Sequence, residues 1–192
     1  MCIRLADGTT IEGDAVLVGI GAAPNVRLAQ GAGLAVSDGI DVDSSLRTSD
    51  DRVFAAGDVA AAEHPLLGRR IRVEHWANAL NQPAVAAASM LGQQASYDRL
   101  PYFYTDQYDL GMEYVGYVEP GDYDRVTVRG DLESREYIAF WTKANRVQAA
   151  MSVNIWDVID DLKAIISSGA ETGPERLADS SVPLSELAGP SR

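Results

Sequence analysis

A glycine–aspartate pair is the first feature of the sequence that could do chemistry. Gly57 and Asp58 directly follow the apolar residues 53–56, which predict a buried strand. Ligands of open α/β sheets bind beyond the carboxyl ends of the strands. A short carboxylate there can accept hydrogen bonds from sugar or polyol hydroxyls. The same pattern allows Asp58 to cap the turn that follows, and the residues alone leave both interpretations open.

A second glycine-containing loop, residues 19–24, lies between an apolar run and a helix signal. Residues 14–20 predict a strand buried on both faces, and residues 25–32 predict a short helix. Such a loop could hold a phosphate. However, Pro24 stands where a dinucleotide fingerprint needs a small residue, and it removes a backbone N–H. We expect a tight turn in which glycines such as Gly21 let the backbone approach a ligand.

Composition excludes several classes of function. The 192 residues carry a net charge of −12, which disfavours binding to nucleic-acid phosphates. A single cysteine, Cys2, and two histidines exclude an internal disulfide, a CxxC pair and a histidine-rich metal site. No metal site is expected. The sequence shows neither a secretory signal nor an apolar run near 18 residues, so we expect a cytoplasmic protein.

The elements that position these residues divide the chain near residue 100. Before it, the pattern predicts a hairpin around Asp7-Gly8, a loop at 63–70 and a helix at 78–91 that Pro83 kinks or begins. Beyond it, strand and turn signals alternate and a helix is predicted at 157–168. Residues 136–142 and 147–153 predict a hairpin pair. The fold expected is an α/β remnant followed by a small α+β domain with about five antiparallel strands and a closing helix. The tail after residue 169 is expected to be loosely attached.

Three segments together resemble flavoproteins of the pyridine-nucleotide-disulfide-reductase fold. Residues 48–60 resemble the segment that binds the FAD ribityl chain, and residues 16–25 resemble the last strand of the NAD(P)-binding domain. Residues 72–79 and 102–107 resemble segments of ferredoxin reductases that serve oxygenase and cytochrome systems. The resemblance covers about residues 3–190. It implies that residues 1–45 end an NAD(P)-binding domain, 46–100 belong to an FAD-binding domain, 101–169 form the reductase C-terminal domain and 170–192 form an extended tail.

The same resemblance implies roles for individual residues. Asp58 would bind ribityl or phosphate-side oxygens, and Trp76 would contact the flavin pyrimidine edge through its backbone. Tyr104, where family members often have tryptophan, would lie beside the isoalloxazine ring. Gly21 and Glu74 would face the nicotinamide nucleotide. The predicted cofactor-binding set also includes the neighbours Gly57, Val59 and Ala77. No side chain is predicted to act as a catalytic acid or base.

The implied activity is electron transfer from NAD(P)H through FAD to a [2Fe-2S] ferredoxin. Arg69, Arg70 and Arg72 form a basic cluster that could dock an acidic ferredoxin, although a solvated loop is the plainer interpretation. Neither glycine-rich fingerprint of the family is present, so we expect a fragment that needs a missing N-terminal half. Two alternatives stay open. One is a non-catalytic folding or docking module, and the other is an NADH oxidase or disulfide reductase of the same superfamily.

Overall fold

A computed structural model describes residues 1–189 of the chain. In this range the strands form three separate sheets. A two-stranded sheet pairs β1 (Cys2–Arg4) with β2 (Thr10–Glu12). A three-stranded sheet contains β3 (Ile40–Val42), β4 (Ala60–His64) and β5 (Arg69–Arg72). The five strands of the C-terminal sheet are β6 (Tyr102–Gln107), β7 (Leu110–Gly116), β8 (Arg125–Asp131), β9 (Glu136–Lys143) and β10 (Arg146–Val153).

Two predicted strands of the N-terminal region do not form. Residues 14–20 are in neither helix nor strand, and Leu17 is 99% exposed. An apolar run becomes a two-face-buried strand only where other strands flank it, and within the described residues none pairs with this run. Residues 53–56 make only an isolated bridge from Phe54 to Arg47, although Ala55 is buried. A short helix, α1 (Arg27–Gly31), lies where residues 25–32 predict one.

Residues 63–70 were expected to form a loop, and this prediction is wrong. His64 ends β4 and Arg69 begins β5, so only residues 65–68 form the turn of an antiparallel hairpin. Gly68 adopts a φ of +61° in that turn, a conformation that suits glycine. The hairpin extends the small sheet in which β3 and β4 pair in parallel.

The long helix, α2 (Trp76–Met90), begins earlier than predicted. It starts at Trp76 and continues through Pro83, so the proline does not mark its start. Gly92 follows its end with a φ of +75°, as the glycine signal predicts.

The C-terminal domain confirms the predicted five antiparallel strands and closing helix. The strand order is β6-β7-β10-β9-β8, and every neighbouring pair is antiparallel. Helix α3 (Ile159–Ser168) lays Leu162 and Ile165 on one face of the sheet. It ends at Gly169, which is left-handed with a φ of 60°. Phe140 and Val115 lie at the centre of this core and are fully buried.

The tail is not loosely attached over its described part, which corrects the sequence-based expectation. A short helix, α4 (Pro174–Ala178), places Leu177 in the core of the C-terminal domain, and Leu187 is buried in the same core. The Arg129 guanidinium donates to the carbonyl oxygens of Ser180 and Val182, which fixes the tail along β8. Leu177 and Leu187, ten positions apart, therefore attach this mostly polar tail to the core of the C-terminal domain. Residues 190–192 lie outside the described residues.

The turn of the β4–β5 hairpin joins the N-terminal region to the C-terminal domain. Leu67 packs against the core of the C-terminal domain. His64 Nε2 donates to the Arg99 carbonyl oxygen at 2.9 Å, in the segment that connects the two parts. Arg69 forms ion pairs with Glu119 and Asp122 of the C-terminal domain. Among residues 1–189, no helix is long and apolar enough to cross a membrane.

Candidate functional site

The glycine–aspartate pair forms a single 3₁₀ turn, Gly57–Val59, against helix α2. Gly57 has a φ of +78°, and a β-carbon there would lie 3.7 Å from Cβ of Ala79. The Gly57 N–H donates to Oε1 of buried Gln82 at 2.7 Å. The Asp58 carboxylate is exposed and makes no hydrogen bond or ion pair with any described residue. An exposed carboxylate beside a fixed turn can accept hydrogen bonds from a ligand's hydroxyl groups.

The start of helix α2 lies next to this turn and presents unpaired backbone donors. The N–H groups of Asn78 and Ala79 bond to the His75 carbonyl. The earlier N–H groups, those of Trp76 and Ala77, have no partner within the helix because they belong to its first turn. The indole of Trp76 is 68% exposed, which is unusual for so large an apolar side chain. A helix start with available N–H groups suits the carbonyl oxygens of a flat heterocycle.

A cleft of about 400 Å³ brings four of the predicted site residues together. These are Glu74, Trp76, Ala77 and Tyr104, joined by His75, Tyr102 and Phe103. One wall comes from the start of α2 and the other from strand β6 of the C-terminal domain. Tyr104 is 55% exposed, so the cleft presents two large aromatic rings to solvent. Its volume lies in the range of small-molecule and cofactor sites.

His75 forms the contact between the two walls of the cleft. Its ring lies 4.6 Å from the Phe103 ring, measured between centroids. Nδ1 is buried and has no hydrogen-bond partner among the described residues. Burial lowers the pKa of His75, while the carboxylates of Asp58 and Glu74 act to raise it. The imidazole is therefore held towards its neutral form.

Glu74 is fixed by an ion-pair network centred on Arg72. The Arg72 side chain is only 11% exposed and pairs with Glu74 at 2.5 Å and with Asp38 at 3.1 Å. It also donates to the Asp58 carbonyl oxygen at 3.1 Å. The hydrogen bond to Glu74 contributes most to raising the pKa of Arg72. Arg72 therefore links the predicted nicotinamide-side carboxylate to the backbone of the glycine–aspartate turn.

The other arginines of the predicted basic cluster are also engaged. Arg70 donates to the carbonyl oxygens of Val42 and Ala61, both at 2.6 Å, and pairs with Glu63 at 3.0 Å. Arg69 bridges to Glu119 and lies 5.6 Å above the Tyr117 ring. Each guanidinium already faces a carboxylate. A partner that docked on this cluster would have to compete with these ion pairs.

Gly21 is the predicted site residue that the structure leaves apart from the others. It has a φ of +89° and lies in the exposed segment that follows β2. A β-carbon at Gly21 would meet nothing within 4 Å. Gly21 thus has the positive φ that suits glycine, but the expected tight turn between a strand and a helix is not formed, and no other predicted site residue lies against Gly21.

Sequence reasoning missed three residues of the site: His75 and Phe103, which line the cleft, and Gln82, which binds the glycine–aspartate turn. The signal that could have revealed Gln82 is its polar side chain in an alanine-rich helix, because such a side chain needs a hydrogen-bond partner when it is buried. His75 stands between two predicted site residues, and its role comes from contact with Phe103, 28 positions away. No local pattern encodes such a contact.

Comparison with known proteins assigns the two parts of the chain to families. Residues 3–83 match the pyridine nucleotide-disulphide oxidoreductase family, and residues 102–188 match the reductase C-terminal family. The chain belongs to the pyridine nucleotide-disulphide oxidoreductases and carries their reductase C-terminal domain.

Within this family the chain is similar to the C-terminal part of ferredoxin reductases of oxygenase systems. It is 43% identical over 93% of its length to the ferredoxin–NAD(+) reductase component of the anthranilate 1,2-dioxygenase system of Burkholderia cepacia, and covers 44% of that protein. The ferredoxin reductase for the CYP199A2 system of Rhodopseudomonas palustris superposes with a TM-score of 0.88 at 36% identity, over 98% of this chain and 46% of that one. A covalent putidaredoxin reductase–putidaredoxin complex gives 0.86 at 36% identity, over 97% and 44%. The chain thus spans less than half the length of the relatives it matches.

Proposed function

We propose that this chain forms the flavin-side and acceptor-side part of an FAD-dependent reductase that passes electrons from NAD(P)H to a [2Fe-2S] ferredoxin. The observation that carries the proposal is the cleft in which the start of α2 and strand β6 present Trp76, Ala77 and Tyr104 together. The relatives are named as ferredoxin reductases, which supports the same proposal. FAD, when bound, would supply hydride acceptance and single-electron release, while the protein supplies its placement.

The residues present fit a flavin nucleotide. Asp58 offers an unengaged carboxylate for ribityl hydroxyls, and the left-handed Gly57 lets that backbone approach the ligand. The N–H of Val59 belongs to the same turn. Trp76 and Ala77 offer first-turn N–H groups for the pyrimidine edge. Tyr104 offers a ring beside the isoalloxazine.

The resemblance assigns Glu74 and Gly21 to the nicotinamide side of the proposed site, although the structure leaves Gly21 apart from the cleft. The ion pair with Arg72 restrains Glu74 in the lining of the cleft, which supports its assignment to this side of the site. Gly21 would let the backbone of its loop approach the nucleotide. A cytoplasmic location and the domain boundaries given above stay predictions.

Titration of the purified chain with FAD tests the flavin site, with quenching of flavin fluorescence as the readout. We expect saturable binding, weakened about tenfold by Asp58→Ala because hydrogen bonds to a charged acceptor are lost. Asp14→Ala removes another exposed carboxylate and should leave binding unchanged. Absence of FAD binding would favour the alternative of a non-catalytic docking module.

The arginine cluster remains one proposal for where the ferredoxin docks. Charge reversal at Arg69 tests it best, since Arg70 and Arg72 also bind backbone carbonyl groups and their loss would disturb the fold. If the cluster docks an acidic partner, Arg69→Glu should weaken association, and added salt should weaken the association of the variant less than that of the parent chain. Unchanged association would show that Arg69 takes no part in docking and serves only in its ion pair with Glu119.

A further inference from the structure

A second cavity lies between helix α2, the connecting segment 93–101 and helix α3. Its volume is about 340 Å³, at the lower end of the range of small-molecule sites. It shares Ala77 and Tyr102 with the cleft proposed for the flavin, but Trp76 and Tyr104 are not among its lining residues. The cavity is therefore a neighbour of the proposed flavin site and not a part of it.

Two polar side chains of the lining are more than nine-tenths buried and keep an atom without a hydrogen-bond partner. Tyr97 is 7% exposed, and its hydroxyl makes no hydrogen bond with any described residue. Asn78 is also 7% exposed, and its Nδ2 donates to the Val73 carbonyl at 3.1 Å, while its amide oxygen accepts no hydrogen bond from the described residues. Burial raises the pKa of Tyr97, so its hydroxyl is protonated and can donate at neutral pH. Because buried polar groups are normally paired, these two indicate a polar ligand.

Lys163 supplies a positive charge to the lining of the cavity. Its ammonium lies 5.9 Å from the centroid of the Tyr102 ring. The ion pair with Asp160, at 3.0 Å, leaves N–H donors of the ammonium unused, and the Asp160 side chain is 97% exposed. So exposed a pair contributes little, and the ammonium remains available to a second carboxylate. Asp98 and Arg99, which also line the cavity, carry opposite charges and together add no net charge.

Apolar side chains complete the lining. Leu100 and Pro101 are buried, and Leu66 contributes a side chain that is more than half exposed. Together with the Tyr102 ring these surfaces suit a flat aromatic ligand, because aromatic rings bury a large apolar area and pack favourably against one another. A rigid ring also loses little conformational freedom when it binds.

We propose that this cavity binds a small hydroxylated aromatic carboxylate, a molecule of the hydroxybenzoate class. The ring would lie against Tyr102 and the apolar walls, and the carboxylate would form a charge-assisted hydrogen bond with Lys163. The ring hydroxyl is needed because the unpaired oxygen of Asn78 can only accept a hydrogen bond. The Tyr97 hydroxyl donates to an oxygen of the same ligand. A benzoate without the hydroxyl would leave the Asn78 oxygen unpaired.

Isothermal titration calorimetry of the purified chain with 4-hydroxybenzoate tests the site. We expect saturable binding, and 4-hydroxybenzamide, which keeps the ring and hydroxyl but carries no charge, should bind about tenfold more weakly. Lys163→Met should weaken the binding of 4-hydroxybenzoate by a similar factor and abolish the preference for the carboxylate, because both changes remove the same contact. The matched control is Lys143→Met, at the end of β9, which also removes a lysine paired with a carboxylate and should leave both affinities unchanged.

Tyr97→Phe tests the buried hydroxyl without removing the ring. We expect the affinity for 4-hydroxybenzoate to fall about threefold to tenfold. The melting temperature of the free chain should not fall, because this hydroxyl has no partner in the chain to lose. Tyr123→Phe removes a hydroxyl from a more exposed tyrosine outside the cavity and should leave the affinity unchanged.

Several outcomes would overturn the site. Absence of saturable binding in the low millimolar range would do so. A preference for the carboxylate that persists in Lys163→Met, or equal losses in Tyr97→Phe and Tyr123→Phe, would place the ligand elsewhere. A lower melting temperature in Tyr97→Phe would show that the hydroxyl serves the fold. The titrations contain no flavin, so each result stands whether or not the chain binds FAD.

Discussion

The hydrogen bond between Gln82 and Gly57 fixes the glycine–aspartate turn to helix α2. Gln82 is almost fully buried, and the Gly57 N–H that it accepts is buried as well. Replacement by leucine keeps the volume of the side chain but leaves that N–H without a partner. We expect Gln82→Leu to lower the free energy of unfolding by about 1–3 kcal/mol, measured by urea denaturation.

The exposed amide of Gln94 provides the control for this substitution. Gln94→Leu should change the free energy of unfolding by less than about 0.5 kcal/mol. Equal effects of the two substitutions would show that the Gly57–Gln82 bond contributes nothing specific. A loss confined to Gln82→Leu, accompanied by weaker FAD binding, would connect this single bond to the shape of the proposed site.

His75, which joins the two walls of the cleft, should make the stability of the fold depend on pH. Burial lowers its pKa in the folded chain below the ordinary value of 6.5, so the folded state binds fewer protons than the unfolded state. The stability that the neutral ring contributes is therefore complete above pH 6.5. It is lost as the pH falls through 6.5 towards the folded-state pKa. We expect the melting temperature to fall between pH 7.5 and 5.5, and His75→Phe, which keeps a ring against Phe103, to flatten that slope.

At the scale of elements, the sequence predicts best where structure is local. Hairpins such as β9–β10 depend on neighbouring residues and on the turn between them, and they were found as predicted. The apolar residues 14–20 carried an equally strong strand signal and form none, because a strand buried on both faces depends on partners far along the chain. Trp76 and Tyr104 were proposed as site residues by resemblance, whereas the ion pairs that occupy Arg70 and Arg72 depend on folded geometry. Local patterns contain no information on such pairs.

The tail is an element whose attachment can be tested by one side chain. Leu177 is fully buried in the core of the C-terminal domain, so its truncation leaves a cavity. We expect Leu177→Ala to lower the free energy of unfolding by about 2–5 kcal/mol. The same truncation at Leu132, which is exposed on the β8–β9 turn, should have little effect. A loosely attached tail would instead give similarly small losses at both positions.

At the scale of the whole molecule, the proposed site depends on how the two parts of the chain meet. One wall of the cleft belongs to α2 and the other to β6, so their separation is set by the contacts between the two regions. The exposed ion pairs of Arg69 contribute at most about 1 kcal/mol to the association of the two regions. The apolar contact of Leu67 with the core of the C-terminal domain is the better candidate for the contact that holds the two regions together.

A substitution at Leu67 tests whether its contact holds the two regions together, and the same substitution at the neighbouring Leu66 is the control. Leu67→Asp places a charge against the core of the C-terminal domain, whereas Leu66, 55% exposed, tolerates the same change. We expect Leu67→Asp to speed limited proteolysis within residues 93–101 several-fold, because the connecting segment is released when the regions separate. The C-terminal domain should survive as a fragment, since its own core does not require the hairpin. Equal cleavage rates in the two variants would show that Leu67 does not hold the two regions together. The His75–Phe103 contact would then be the one that sets the width of the cleft.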